Sequence, residues 1–221
     1  MAGPAFLKSD FGARNDFENF TANNGFTVGG FYYLTFVEDY ESLQEHFKIR
    51  LEASYTKYEL QHYGKYVDNT SYSLFTRQLR AMRGEVNMGT LGVQIEYFPF
   101  KVDDYARGLS IFSPYIGIGG QANSYSATVT SKLGTFGTAS TTPTKYRTGA
   151  KNDDGIAASV AASAGTRIKL SEYHAIALDF RLQYFFSDWV DGVNPDPNIY
   201  TENKSNDWST AVTVGYIYYI N

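Results

Sequence analysis

From Ala175 to Trp189 the side chains alternate in kind at every step. Ile176, Leu178, Phe180, Leu182, Tyr184 and Phe186 share one parity, while Ala175, Ala177, Asp179, Arg181, Gln183, Phe185 and Ser187 share the other. Strand side chains point to opposite faces in turn, so this segment has one continuously apolar face and one carrying an acid, a base and an amide; a helix would scatter them. Trp208, Thr210, Val212, Val214, Tyr216, Tyr218 and Ile220 repeat the pattern at the end of the chain, and Phe47 to Leu60 sets Phe47, Ile49, Leu51, Ala53 and Tyr55 against Lys48, Arg50, Glu52, Ser54 and Thr56. Phe26–Val37, Glu85–Phe98, Pro114–Tyr125 and Ile156–Leu170 read as further strands, and a first strand is expected within Pro4–Ala13. In Glu85–Phe98 the apolar parity changes near Gly89, with Val86 and Met88 on one parity and Leu91, Val93, Ile95 and Tyr97 on the other, which predicts a β-bulge.

Eight strands result, with connections of two kinds. Those after odd-numbered strands are long and polar, at Asp16–Asn24, Gln61–Arg80, Thr128–Asp154 and Asp191–Asp207; the others, Glu38–His46, Lys101–Ser113 and Ser171–His174, are mostly shorter. Long outer loops and short periplasmic turns are the habit of bacterial outer-membrane barrels. The predicted fold is all-β: one domain, residues 1–221, an eight-stranded antiparallel up-and-down transmembrane β-barrel with a filled polar lumen. Both termini would be periplasmic and the long loops extracellular, in the bacterial cell outer membrane. The absence of any run of roughly 18 apolar residues excludes a transmembrane helix but not such a barrel. Cys is absent, which excludes disulfides and Cys-ligated metals. The net charge of −4, with scattered bases, gives no reason to expect nucleic acid as a partner. Met1-Ala2-Gly3-Pro4 opens without an apolar signal segment, so a processed or engineered form is expected.

The faces decide between a soluble barrel and a membrane one. The mixed face holds Arg50, Glu52, Gln94, Glu96, Arg167, Asp179, Arg181 and Gln183 among many small residues. Small, mutually compensating polar groups suit a narrow lumen in which charges must be paired. The opposite face is large and aromatic and suits lipid. Tyr97, Phe98, Tyr216 and Tyr218 at one end, and Trp189 and Trp208 at the other, are expected to form interfacial girdles. Eight strands leave room only for side chains, so a salt-bridged plug is favoured over a conducting path.

Thr213-Val214-Gly215-Tyr216-Ile217-Tyr218-Tyr219-Ile220 resembles the terminal assembly signal of outer-membrane barrels, with Thr213, Gly215, Tyr218 and Ile220 at its four positions and Asn221 following where an aromatic is usual. The resemblance implies recognition of the last strand by the barrel-insertion machinery. The order Glu96-Tyr97-Phe98-Pro99-Phe100, then Phe112-Ser113-Pro114-Tyr115, then Ser187-Asp188-Trp189-Val190-Asp191-Gly192-Val193 resembles the small OmpA/OmpX-like outer-membrane barrels of Bacteroidota, which include the barrel component of the type 9 secretion system. In that component an acid stands where this chain has Gly192. Membership implies a barrel anchored in outer-membrane lipid that docks other outer-membrane or periplasmic subunits.

No catalytic, cofactor or metal residues are assigned. Asp188, Asp191 and Asp196, with Asp153 and Asp154, have the oxygen chemistry for Ca²⁺, but their spacing is not that of an EF-hand, and a solvated loop is the expectation. His62 is the one histidine expected at the outer rim, where Ser71, Ser73 and Asp188 could approach it, but no spacing requires a triad. Thr128–Asp154 has the composition of a mobile surface loop, although Tyr146 and Phe136 suggest packing. The functions to separate are an accessory or anchoring subunit, an autonomous surface barrel acting through its loops in adhesion or defence, a narrow pore and a rim enzyme.

Overall fold

A computed structural model describes residues 1–11, 23–35, 46–67, 72–100, 112–196, 198–200 and 206–220. Its strands are β1 (Ala2–Lys8), β2 (Asn24–Thr35), β3 (Phe47–Gln61), β4 (Met82–Tyr97), β5 (Phe112–Ser131), β6 (Asp153–Ser171), β7 (His174–Phe185) and β8 (Trp208–Tyr218). Each pairs antiparallel with its chain neighbours, and β1 closes on β8 to complete the barrel. Closure leaves no sheet edge along the span, which a β-structure in hydrocarbon requires.

Alternation along the strands sorts the side chains as the sequence predicts. On β7, Ala175, Ala177, Asp179, Arg181, Gln183 and Phe185 are all buried, while Leu178, Phe180 and Leu182 are exposed. The outward face carries Leu51 on β3, Leu91, Val93 and Ile95 on β4, and Ile116 and Ile118 on β5, with Leu91 66% exposed and Ile118 62%. Exposure of this kind around a whole barrel is the inverse of a water-soluble one.

Several boundaries move. The first strand begins at Ala2, ahead of the expected stretch, and β5 and β6 run to 20 and 19 residues. β7 ends at Phe185, so Phe186–Trp189 leave the sheet. The bulge expected near Gly89 is absent: β4 pairs without interruption with β3 and β5, and even positions stay inward from Met82 to Glu96. Val86 and Met88 are therefore apolar residues inside the lumen. Among the described residues the one register shift between neighbouring strands falls at Lys169/Ser171, beside the tight β6–β7 turn.

At roughly 3.3 Å per residue and a tilt near 40°, a 20-residue strand rises about 50 Å, twice the roughly 25 Å apolar band of such barrels. β4, β5 and β6 accordingly stand as a tall wall past the ends of β7 and β8. The connection read as loop at Gln61–Arg80 includes a short helix, α1 (Leu74–Ala81), capped by the Ser73 side chain accepting from Thr76 N–H and buried through Thr76, Gln78, Leu79 and Ala81. Thr128–Asp154 is not a mobile tail of the sheet. Its first residues belong to β5, its last to β6, and between them hydroxyls of Thr138, Thr141 and Thr142 bond one another ahead of the single helical turn α2 (Thr144–Arg147). The expected loops at Asp16–Asn24, Glu38–His46 and Lys101–Ser113 lie mostly outside the described residues, as do Val37 and Ser71.

Candidate functional site

The lumen is built in three levels. At the short-turn end three arginines meet three carboxylates. Arg50 Nη1 lies 2.9 Å from Glu96 and 3.1 Å from Asp179, Arg167 Nη2 lies 2.5 Å from Glu96, and Arg181 pairs with Glu52 and reaches Asp179 at 3.9 Å. Polar side chains hold these groups: Arg50 Nη2 donates to Gln94 (2.6 Å), Tyr115 O–H to Asp179 (2.6 Å) and Gln121 to Glu52 (3.3 Å). Aromatic faces complete the packing, with Arg50 4.8 Å from the Phe31 ring and Arg167 4.0 Å from that of Tyr33. A buried charge is costly unless it is paired, and each of these six has an oppositely charged partner.

The middle level is neutral. Gln183 Nε2 donates to Asn123 (3.0 Å) and Ser159 (2.9 Å), Thr90 donates to Asn123 (2.9 Å), and Thr56 to Thr27 (2.8 Å). All eight lumen residues expected from the sequence are buried inside the barrel. Above this the lumen turns apolar, in a departure from the uniformly polar interior expected. Leu7, Tyr58, Leu60, Met82, Val86, Met88, Val129 and Phe185 form one cluster with Phe11, Tyr146, Val190 and Val193 of the loops.

Those loops form a cap. Phe11 stacks on His62 with centroids 4.9 Å apart, Tyr146 lies against the same imidazole, and the Tyr146 hydroxyl donates to the Asp10 carbonyl (3.1 Å). Burial, with Lys145 and Arg83 adding to it, lowers the His62 pKa from 6.5 to about 3, so the ring is neutral. Ser73 is engaged as the cap of α1. The residues expected at this rim are thus not assembled as a nucleophile and base among the described residues.

Asp191 is fully enclosed, not solvated. Its carboxylate accepts from Asp10 N–H and Val193 N–H, both at 2.9 Å, and its own N–H donates to Asp207. Burial and then Asp10 push the Asp191 pKa well above the usual carboxylate range; burial and then Asp191 do the same to Asp207. Gly192 has φ +81°, and a Cβ there would lie 3.0 Å from Ala127 and 3.1 Å from Val129. An acid at this position would be strained and would collide with the lumen wall, which accounts for glycine. Lys151 N–H to Gly192 and Asn194 N–H to Gly149 then stitch the last loop to the third. Asp153, Asp154 and Asp196 are exposed and take no part in this clasp. Among the described residues no group of three or more acids or histidines is arranged to hold a metal ion.

The expected girdle residues divide. Tyr97, Tyr216 and Tyr218 are exposed on the outer wall near the short-turn end, joined there by Phe47 and Phe112. Phe98 is not among them: it is fully buried, packed on Tyr115 and facing Arg167 at 4.7 Å. It keeps the inward parity of Gln94 and Glu96. At the other end Trp208 packs on Tyr184 with ring centroids 4.7 Å apart, whereas Trp189 lies in the cap with Lys151 over its ring. In the terminal motif Thr213 and Gly215 face inward, where a Cβ on Gly215 would strike the Met1 side chain; Tyr218 and Ile220 are exposed.

A closed eight-stranded antiparallel barrel with an apolar outer wall and a paired polar interior is the fold of the small outer-membrane β-barrels. Among solved structures it is similar to Neisserial surface protein A (NspA), with a TM-score of 0.50 and 12% identity over 99% of this chain and 93% of that one. Weaker likenesses are to the attachment invasion locus protein Ail of Yersinia pestis (TM-score 0.43, 13% identity, 98% and 94% covered) and to the outer membrane protein OprG of Pseudomonas aeruginosa (0.39, 13%, 100% and 94%). At these identities the likeness is one of fold. No protein-family model matches the chain, and no curated protein does.

Proposed function

We propose that this protein is a non-enzymatic integral barrel of the bacterial outer membrane that serves as an anchor or accessory subunit of a larger outer-membrane or surface assembly, of the secretion type that its aromatic-Pro and Asp-Trp segments resemble. The termini would be periplasmic and the long loops outside. The observation that carries this reading is the double closure of the lumen: three ion-paired arginines fill one end and an apolar plug under a stitched cap fills the other. With the interior occupied, function falls to the outer wall and the loops. Lipid would contact the apolar band, Tyr97, Tyr216, Tyr218 and Trp208 would sit at its borders, and the exposed Tyr218 and Ile220 would be read by the insertion machinery during assembly.

Mild-detergent extraction from native membranes tests the anchoring role. The barrel is expected to co-purify with one or more defined partners, and a barrel that consistently emerges alone sinks it. Planar bilayers should show no discrete conductance steps. One observation favours the alternative of an autonomous surface barrel: Tyr66, Tyr72, Leu74 and Phe75 are exposed together on the β3–β4 connection. Large aromatic side chains in water are common at contact sites. Retention of whole-cell adhesion by the isolated barrel in liposomes would support that reading over the first.

A further inference from the structure

On the outside of the tall wall, just above the apolar band, is a groove of about 450 Å³, within the roughly 300–1,000 Å³ range of small-molecule sites. The strand register builds its floor as two rows. Glu59 of β3, Glu85 of β4 and Thr128 of β5 lie side by side, and one step further out lie Gln61, Arg83 and Thr130. Tyr63 and Asn24 line the groove beside these rows.

The floor is set by the side chains' chemistry. Arg83 is held down by its Nη1, which donates to the carbonyls of Arg80 (2.8 Å) and Met82 (2.6 Å). Lys57 and Asn87 fix Glu85 from below, at 3.1 and 3.0 Å. Glu59 stands directly opposite Glu85, and like charges facing each other across two strands cost stability. Such a pair, kept at the centre of a groove, places carboxylate acceptors side by side, the arrangement that takes hydroxyl donors from one ligand. Amide, hydroxyl and guanidinium groups supply the complementary donors, and the half-exposed Tyr63 supplies a flat apolar face.

We propose that this groove binds a neutral saccharide, its hydroxyls on Glu59 and the Gln61–Arg83–Thr130 row and a ring face against Tyr63. With Lys57 already paired to Glu85, the floor has no excess of positive charge to hold a sulfated or phosphorylated glycan. The site is independent of whether the barrel belongs to an assembly.

The test is saturation-transfer NMR on the barrel folded in phosphocholine micelles, because maltoside detergents would themselves compete. The probes are maltotriose, chitotriose and a sulfated trisaccharide. Transfer to at least one neutral probe is expected, weakened about fivefold or more by Tyr63→Ala and also by Glu59→Gln, and unchanged by Tyr72→Ala in the neighbouring connection. A normal heat shift on gels shows that each variant is folded. No transfer to either neutral probe, transfer that survives both groove substitutions, or binding of the sulfated probe alone overturns the proposal.

Discussion

The two ends of the lumen solve the same packing problem with opposite chemistry. Toward the short turns the interior is filled by Arg50, Arg167 and Arg181 against Glu52, Glu96 and Asp179, with Arg50–Asp179 and Glu52–Arg181 joining β3 to β7, strands that are not neighbours in the sheet. Toward the loops it is filled by Leu60, Val86, Met88 and Phe185, joined by residues of the cap. The difference follows from what each end must hold. Charged pairs are directional and fix which strand faces which, at a desolvation cost. Apolar contacts are non-directional, and they let loop residues such as Phe11 and Val193 dock on the barrel without matching charge.

The ends should therefore fail differently. Arg50→Met leaves Glu96 and Asp179 without their shared cation and should cost about 3–5 kcal/mol, read as a lowered midpoint in urea unfolding from micelles. Replacing Arg50 and Asp179 together, with Met and Asn, leaves Glu96 on Arg167 and Arg181 on Glu52 and should recover much of that loss; if it does not, the network supplies more than charge balance. Met88→Ala in the apolar half leaves no stranded charge and should cost about 2–5 kcal/mol according to how far the cluster closes on the cavity, with the lower barrel unaffected in amide exchange.

Acidity should distinguish the cap from the rest. Because His62 is neutral in the fold down to about pH 3 but protonates near 6.5 when released, its contribution is full above 6.5 and falls as the pH drops between those values. His62→Phe, which keeps the stack on Phe11 and Tyr146, should flatten this acid limb. Asp191 and Asp207 have the opposite sign. Their native pKa values are raised, so the folded cap retains protons that an open cap releases, and its stability declines as the pH rises from the ordinary carboxylate range through the native values. Trp189 emission in a Trp208→Phe background should report this loosening, and Asp191→Asn should remove part of it. The smallest effect belongs to the exterior: Ser73→Ala should cost α1 about 1 kcal/mol and leave barrel unfolding unchanged.

Much of the barrel was legible because alternation is a local property. Parity alone placed Arg50, Gln94, Asp179 and Arg181 inside and Leu91, Ile95 and Leu182 outside. Parity also contained the position of Phe98, two residues on from Glu96, but the expectation that aromatics gather at the lipid boundary outweighed it. The assumed bulge at Gly89 arose in the same way: a lumen taken to be polar throughout made Val86 and Met88 look out of phase. The inward Tyr58, Leu60 and Phe185 carried the contrary signal. The helix at Leu74–Ala81 is too short for periodicity to stand out, although Ser73 with Thr76 marks its start.

The sequence by itself determined that the chain makes an inside-out barrel with a compensated interior, since a two-residue period and the chemistry of each face are written along every strand. Only the tertiary structure decided which charges meet, because the strands carrying Arg50 and Asp179 are 129 residues apart and their pairing depends on closure and register. It also decided that Asp10, Asp191 and Asp207 meet in one clasp and that the upper lumen is apolar. Those outcomes depend on where three loops land once the barrel has closed, and no local pattern records that.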